Sequence, residues 1–106
     1  MSWLFLLSYF FGGAFLVNAV PHVISGVRGE RFQSPFAKPP GQGHSSSIVN
    51  FVWGFVNLVI SYLLVCRVGD FDLRDTSDVV AFGLGVLLLG LLTARQFGRF
   101  NGGNMA

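Results

Sequence analysis

The stretch SSSIVNFVWGFVNLVISYLLVC runs from Ser45 to Cys66, 22 residues without one charged side chain. A helix rising about 1.5 Å per residue needs roughly 20 residues to cross a hydrocarbon layer about 30 Å thick. The run therefore predicts a membrane-crossing helix. Within it Ser47, Asn50, Gly54, Asn57 and Ser61 recur at spacings of three and four, which puts all five on one helical face. An amide turned toward acyl chains is costly. The same amide turned toward another helix can hydrogen-bond across the contact for about 0.6 to 2 kcal/mol, and a small residue such as Gly54 lets that helix come close. The stripe predicts a protein neighbour on that face.

Two further runs flank it. Trp3 to Val20 holds 18 residues and Val79 to Ala94 holds 16, again without a charge. The shorter one can be extended. Asp75-Thr76-Ser77-Asp78 supplies capping groups before it, with Asp at the positive end of the helix dipole, and Arg95 can snorkel to the headgroups after it. The expected plan is all-α and integral to the membrane: three transmembrane helices in a small antiparallel bundle, forming a single membrane domain over residues 1–106. The first span covers 3–20, an inner loop 21–47, the second span 48–66, an outer loop 67–75, the third span 76–97 and a tail 98–106. A cleaved signal peptide is disfavoured, since no Lys or Arg precedes the first apolar run.

Composition agrees. The chain is 52 % hydrophobic and 11 % charged, where a soluble domain carries about 25 % charged residues, and its mean hydropathy is +0.61. A water-soluble fold of this size could not hide that much apolar surface.

The inner loop is set apart by Pro35, Pro39, Pro40, Gly41 and Gly43, which exclude a continuous helix; Ser45, Ser46 or Ser47 can then cap the second span. Three spans place this loop and the tail on one side, with Arg28, Arg31, Lys38, Arg95 and Arg99. The other side has Arg67 and Arg74 beside four aspartates. Basic residues mark the cytoplasmic face, so the N-terminus is expected outside and the C-terminus inside. Arg28, Arg31 and Lys38 are candidates for anionic lipid headgroups. No basic stripe with interleaved aromatics suggests a nucleic-acid partner. Cys66 is the only cysteine and reads as apolar filler or, as a sharper alternative, an intermolecular disulfide.

Packing residues recur on the other spans: Ser8, Gly12 and Asn18 on the first, and Ala81/Gly85 and Gly90/Ala94 at a small-x-x-x-small spacing on the third. Asn18, His22, Asn50, Trp53 and Asn57 form the candidate ligand-binding set, against plain helix packing as the alternative. His22 and His44 lack the further ligands a metal site needs, so neither a metal nor another cofactor is expected. No Gly-x-Ser-x-Gly, phosphate-binding loop or His-Glu-x-x-His occurs, and no catalytic residue is assigned. Asp70, Asp72, Asp75 and Asp78 read as a solvated, charge-balanced turn. An ion-coupled carrier would hold an ionisable group inside the bilayer, and no carboxylate or basic side chain lies within these runs.

Three motifs stand in the middle third: Pro21-His22-x-x-x-Gly26-x-x-Gly29-x-x-Phe32, Ser34-Pro35-Phe36-Ala37-Lys38-Pro39 and Asn50-x-x-Trp53-Gly54-x-x-Asn57. With them the chain resembles a group of small, uncharacterised bacterial three-helix integral membrane proteins. The resemblance implies a bacterial inner (plasma) membrane location and brings no activity with it. The expected role is non-enzymatic, a lipid-embedded protein acting through helix packing as a homo-oligomer or accessory subunit of a protein partner. The alternative is a membrane anchor binding a lipid, quinone or haem at the face between the first two helices.

Overall fold

A computed structural model describes residues 2–104 of the chain. It contains α1 (Ser2–Val27), β1 (Phe32–Gln33), β2 (His44–Ser45), α2 (Ser47–Cys66) and α3 (Thr76–Asn101). All three helices are long and apolar enough to cross a membrane. The longest dimension of the chain, 40 Å, is that of a 26-residue helix at about 1.5 Å per residue.

The helices are joined through the first. α1 packs against α2 on one side and against α3 on the other, while α2 and α3 barely touch. The two seams differ in chemistry. Along α1 and α3 glycines let backbones meet: a Cβ on Gly85 would strike the Phe10 carbonyl, and one on Gly13 the Phe82 carbonyl. Along α1 and α2 the contact is hydrogen-bonded.

Burial is inverted relative to a protein in water. The buried apolar residues are Tyr9, Ala14, Ala19 and Ala37, whereas His22, Gln33, Ser34, Asn50, Asn57, Ser61 and Asp78 are buried polar ones. Phe51, Val52, Phe55, Leu87, Leu91 and Leu92 face outward. Such a surface would be penalised in water at about 25 cal/mol per Å² and suits hydrocarbon.

The helix ends follow their capping chemistry. Ser46 caps α2, accepting from the Val49 amide at 3.2 Å, and Asp75 caps α3, accepting from the Ser77 amide at 3.0 Å. Gly102 closes α3 at φ 81°, a conformation that favours glycine.

Two boundaries differ from the sequence reading. α1 does not stop at Pro21 but continues through it to Val27, so the irregular connection begins at residue 28. Proline removes one backbone hydrogen bond, and neighbouring helices can compensate that loss in a transmembrane helix. The extra turns are held by α2: a Cβ on Gly54 would lie 2.5 Å from Val23 Cγ2, and one on Gly26 would lie 2.6 Å from Phe51 Cβ. At the other end α3 runs past Phe97 to Asn101. Asn101 Nδ2 donates to the Phe97 carbonyl at 2.9 Å, and Asn104 Nδ2 donates back to the Arg95 carbonyl at 3.0 Å. The tail's final residues, 105 and 106, lie outside the described ones.

The segment between α1 and α2 is ordered by a two-residue antiparallel ladder, Phe32 opposite Ser45 and Gln33 opposite His44. The Ser34 and Ser45 hydroxyls meet at 2.6 Å beside it.

Candidate functional site

Among the described residues four side-chain hydrogen bonds cross the α1–α2 seam. Ser8 Oγ donates to the Leu64 carbonyl at 2.6 Å, Ser61 Oγ to the Gly12 carbonyl at 2.7 Å, and Asn18 Nδ2 to Asn57 Oδ1 at 3.0 Å. The fourth joins His22 Nδ1 and Asn50 Oδ1 at 2.7 Å. Residue numbers rise along α1 as they fall along α2. Every buried α2 residue, Asn50, Gly54, Asn57 and Ser61, belongs to the stripe expected from its spacing. Ser47 of that stripe is half-buried.

Asn50 is the junction of the site. Its Nδ2 stands 3.1 Å from each of three carbonyl oxygens, those of Phe32, Ser45 and Ser46. Only an NH2 group can serve carbonyls, so the amide oxygen must be the atom that faces His22. Nδ1 of His22 therefore carries the proton and donates it to Asn50 Oδ1. One side chain thus ties α1, α2 and both short strands together.

The imidazole is also walled by aromatic rings. Phe32 lies 5.6 Å away at 76°, and Phe97 of α3 lies 6.1 Å away at 88°; the two phenyl rings touch at 4.7 Å. Gln33, 1 % exposed, extends the network outward. Its Oε1 accepts from Asn101 Nδ2 at 3.2 Å and its Nε2 lies 3.3 Å from His44 Nε2. All three helices and the connecting segment meet at this end.

The five candidate ligand residues do assemble, but chiefly on one another. Asn18 pairs with Asn57 and His22 with Asn50. Asn57 Nδ2 is bound to the Trp53 carbonyl at 2.8 Å, while the Trp53 ring turns away to meet Phe36 at 5.1 Å. That aromatic pair lines an outward-facing groove of about 540 Å³ with Val49, Val52 and Val56. Among the described residues no buried side-chain nitrogen or oxygen lacks a partner.

The charged candidates behave differently from one another. Arg28, Arg31 and Lys38 are all exposed, and Arg28 is engaged by Glu30 at 2.6 Å. Among the described residues this is the only ion pair, so the outer loop is not balanced by arginine contacts. Its aspartates hold backbone instead: Asp78 Oδ2 accepts from the Asp72 amide at 3.0 Å, and Asp72 Oδ1 accepts from the Arg74 amide at 2.8 Å. Cys66 is exposed. No three His, Cys, Asp or Glu side chains gather in a metal-holding group among the described residues.

Sequence reasoning missed Tyr9, Gln33 and Ser34, all 1 % exposed. Tyr9 lies in a run without a charge, where its ring reads as one apolar group among many; it packs against the Phe71 ring at 5.1 Å. Gln33 and Ser34 sit outside any helix, where period carries no signal. No family model, no curated protein and no solved structure matches the chain.

Proposed function

We propose that the chain is an integral protein of the bacterial inner membrane that works by assembly, as a homo-oligomer or as an accessory subunit of a larger complex. The helices cross alternately, as a small antiparallel unit in which α1 is the shared spine. The 28–46 connection and the end of α3 face the cytoplasm, and the N-terminus faces outward.

The observation that carries the assembly reading is the state of α3. Only 11 % of its apolar window is buried within the chain, against 28 % for α1 and 22 % for α2. α3 touches its own chain along one edge and presents Leu84, Leu87, Leu88, Leu91 and Leu92 outward. Meanwhile the α1–α2 pair is locked by side-chain hydrogen bonds, which suits a rigid hairpin offering a third helix to a partner.

The test has two steps. Alkaline carbonate washing should leave the chain in the membrane pellet; release would refute the membrane reading. Crosslinking of intact membranes, with a photoreactive group at Leu88, should then give a discrete dimer, oligomer or heteromer. Recovery of crosslinks to lipid alone would overturn assembly while leaving membrane insertion intact.

A further inference from the structure

Gln33 and His44 stand opposite each other in the short ladder, in very different surroundings. Gln33 is 1 % exposed, whereas the His44 ring is open to solvent. Gln33 Nε2 lies 3.3 Å from His44 Nε2. Two nitrogens can bond only if one brings the proton and the other a lone pair.

The direction of that bond is set on α3. Asn101 Nδ2 donates to the Phe97 carbonyl at 2.9 Å and to Gln33 Oε1 at 3.2 Å. A backbone carbonyl only accepts, so the Asn101 amide cannot be reversed without setting oxygen against oxygen. Its second hydrogen then requires the Gln33 oxygen, and the Gln33 NH2 group is left to face His44. The imidazole is therefore the acceptor: Nε2 is bare and the ring hydrogen sits on Nδ1. From Phe97 through Asn101 and Gln33 to His44, one helix carbonyl fixes every polarity.

An imidazolium, which donates from both nitrogens, does not fit the end of this chain. Its Nε2 hydrogen would meet the Gln33 NH2 group, donor against donor. Turning the Gln33 amide over moves the conflict to Asn101, and turning Asn101 over moves it to Phe97. Rotation of the exposed ring into water relieves the clash but leaves the buried Gln33 NH2 group without its acceptor, which is the costly case. The titratable and charged side chains of the elements gathered here are Arg28, Glu30, Arg31 and Lys38 in the connecting segment, His22 on α1, and Arg95 and Arg99 on α3; α2 brings none to this end. Among the described residues no carboxylate lies within 4.0 Å of the His44 ring, so a proton gained there finds no counter-charge.

We propose that His44 is an acid-sensitive latch: its neutral ring holds the connecting segment, through Gln33, on the last turn of α3, and uptake of a proton loosens that hold. Imidazoles change charge between about pH 5 and 8. The contact is made on the alkaline side of that range and is lost as pH falls through it, because only the uncharged ring can accept. The elements it joins carry Arg28, Arg31 and Lys38 on one side and Arg95 and Arg99 on the other, so release uncouples the two basic groups. The inference needs neither assembly nor a particular orientation in the membrane.

Hydrogen exchange of the full chain in phosphatidylcholine nanodiscs tests it, read as protection factors, which already remove the intrinsic effect of pH on exchange. Between about pH 8 and pH 5, protection of the Arg99, Phe100 and Asn101 backbone amides should fall roughly tenfold, the scale of one hydrogen bond. The Asn57 and Ser61 amides in the α1–α2 seam should hold theirs. His44→Gln places a carbonyl oxygen at about the reach of Nε2 and cannot titrate, so it should keep the alkaline protection in acid. His44→Phe, which has no acceptor, should show the lowered protection at both values. Labelling with 15N-histidine should show, on the alkaline resonances that His44→Gln removes, a bare Nε2 and a protonated Nδ1. A proton on that Nε2 under alkaline conditions, equal protection of the unaltered chain at both pH values, or a fall that persists in His44→Gln would each overturn the proposal, the last by assigning the response to another group such as His22.

Discussion

Gly85 of α3 lies directly beneath the Phe10 carbonyl of α1, so close that a single added Cβ would collide with that backbone oxygen and crowd the Ala14 amide. Backbone cannot turn aside as a flexible side chain can. Two residues earlier and on another face of the same helix, Gly83 has nothing within 4 Å of its Cβ position. Gly85→Leu should therefore cost about 3 kcal/mol or more, by forcing α3 off α1, whereas Gly83→Leu should change stability by less than about 0.5 kcal/mol. Thermal unfolding in mild detergent reads both, and equal losses would show that the α1–α3 contact is not made through this glycine.

On the α1–α2 side the amides are predicted to be unequal. Asn50→Leu takes the amide donor from the Phe32 and Ser45 carbonyls and the acceptor from the His22 Nδ1 proton, while the Ser46 carbonyl keeps the backbone amide of residue 50, and should cost about 3 kcal/mol. Asn57→Leu breaks one bond to Asn18 and one to its own helix, and should cost about 1 kcal/mol. Limited proteolysis separates the two further. The segment between Arg28 and Ser46 should become cleavable in the Asn50 variant and stay protected in the Asn57 variant, because only Asn50 reaches the Phe32 and Ser45 carbonyls.

This contrast also marks what the sequence could reveal. The stripe of Asn50, Gly54, Asn57 and Ser61 was legible because a helix converts spacing into a face, and the polar groups of an otherwise apolar helix gather where another helix can bond them. The Ser46 and Asp75 caps were legible for a similar local reason. Passage of α1 through Pro21 was not, since proline's local preference is overruled by Val23 and Gly26 packing on α2, a contact between residues distant in the chain. The three-carbonyl grip of Asn50 was hidden too. It depends on the Phe32–Gln33 and His44–Ser45 ladder, whose register two-residue strands cannot announce.

At the opposite end of the molecule, the Ser77 hydroxyl donates to Asp75 Oδ1 at 2.6 Å. That hydrogen bond, aided by the backbone amides, holds the Asp75 carboxyl below its usual range. A depressed folded-state value means that the charged form stabilises the cap: its contribution is present above the usual carboxylate range and is lost as pH falls through the lower folded value. The Ser77 amide should accordingly lose protection and shift in its NMR resonance in acid. Asp75→Asn, which keeps the acceptor oxygen but cannot ionise, should flatten that response.

The three basic candidates in the connecting segment should not contribute alike to lipid preference. Arg28 already faces Glu30 at 2.6 Å, so a headgroup gains little from it, whereas Arg31 and Lys38 lack that competitor. Arg31→Ala and Lys38→Ala should each weaken enrichment of phosphatidylglycerol around the protein by about 1 kcal/mol, roughly fivefold, and Arg28→Ala by much less. Native mass spectrometry of lipids retained from mixed nanodiscs measures this. Equal effects from all three would mean that the ion pair opens at the membrane surface.

The orientation of the whole chain reduces to which end these cations occupy, and contacts define the ends. Phe32 meets Phe97 at 4.7 Å and Asn101 binds Gln33 at 3.2 Å, which gathers Arg28, Arg31, Lys38, Arg95 and Arg99 at one end. Tyr9 meets Phe71 at 5.1 Å, leaving Arg67 and Arg74 at the other, among aspartates. Five cations against two favour retention of the first end in the cytoplasm. Cys66, exposed and the only cysteine, then reports the outer end without any mutation. In a Cys66→Ala background, Arg99→Cys reports the inner end, with Gly102→Cys as the control that leaves all five cations in place. A membrane-impermeant maleimide added to spheroplasts should label Cys66 in the unaltered protein and label the two inner cysteines only after lysis. The reverse pattern would invert the topology, and labelling of both ends before lysis would mean that the charge difference is too small to set one orientation.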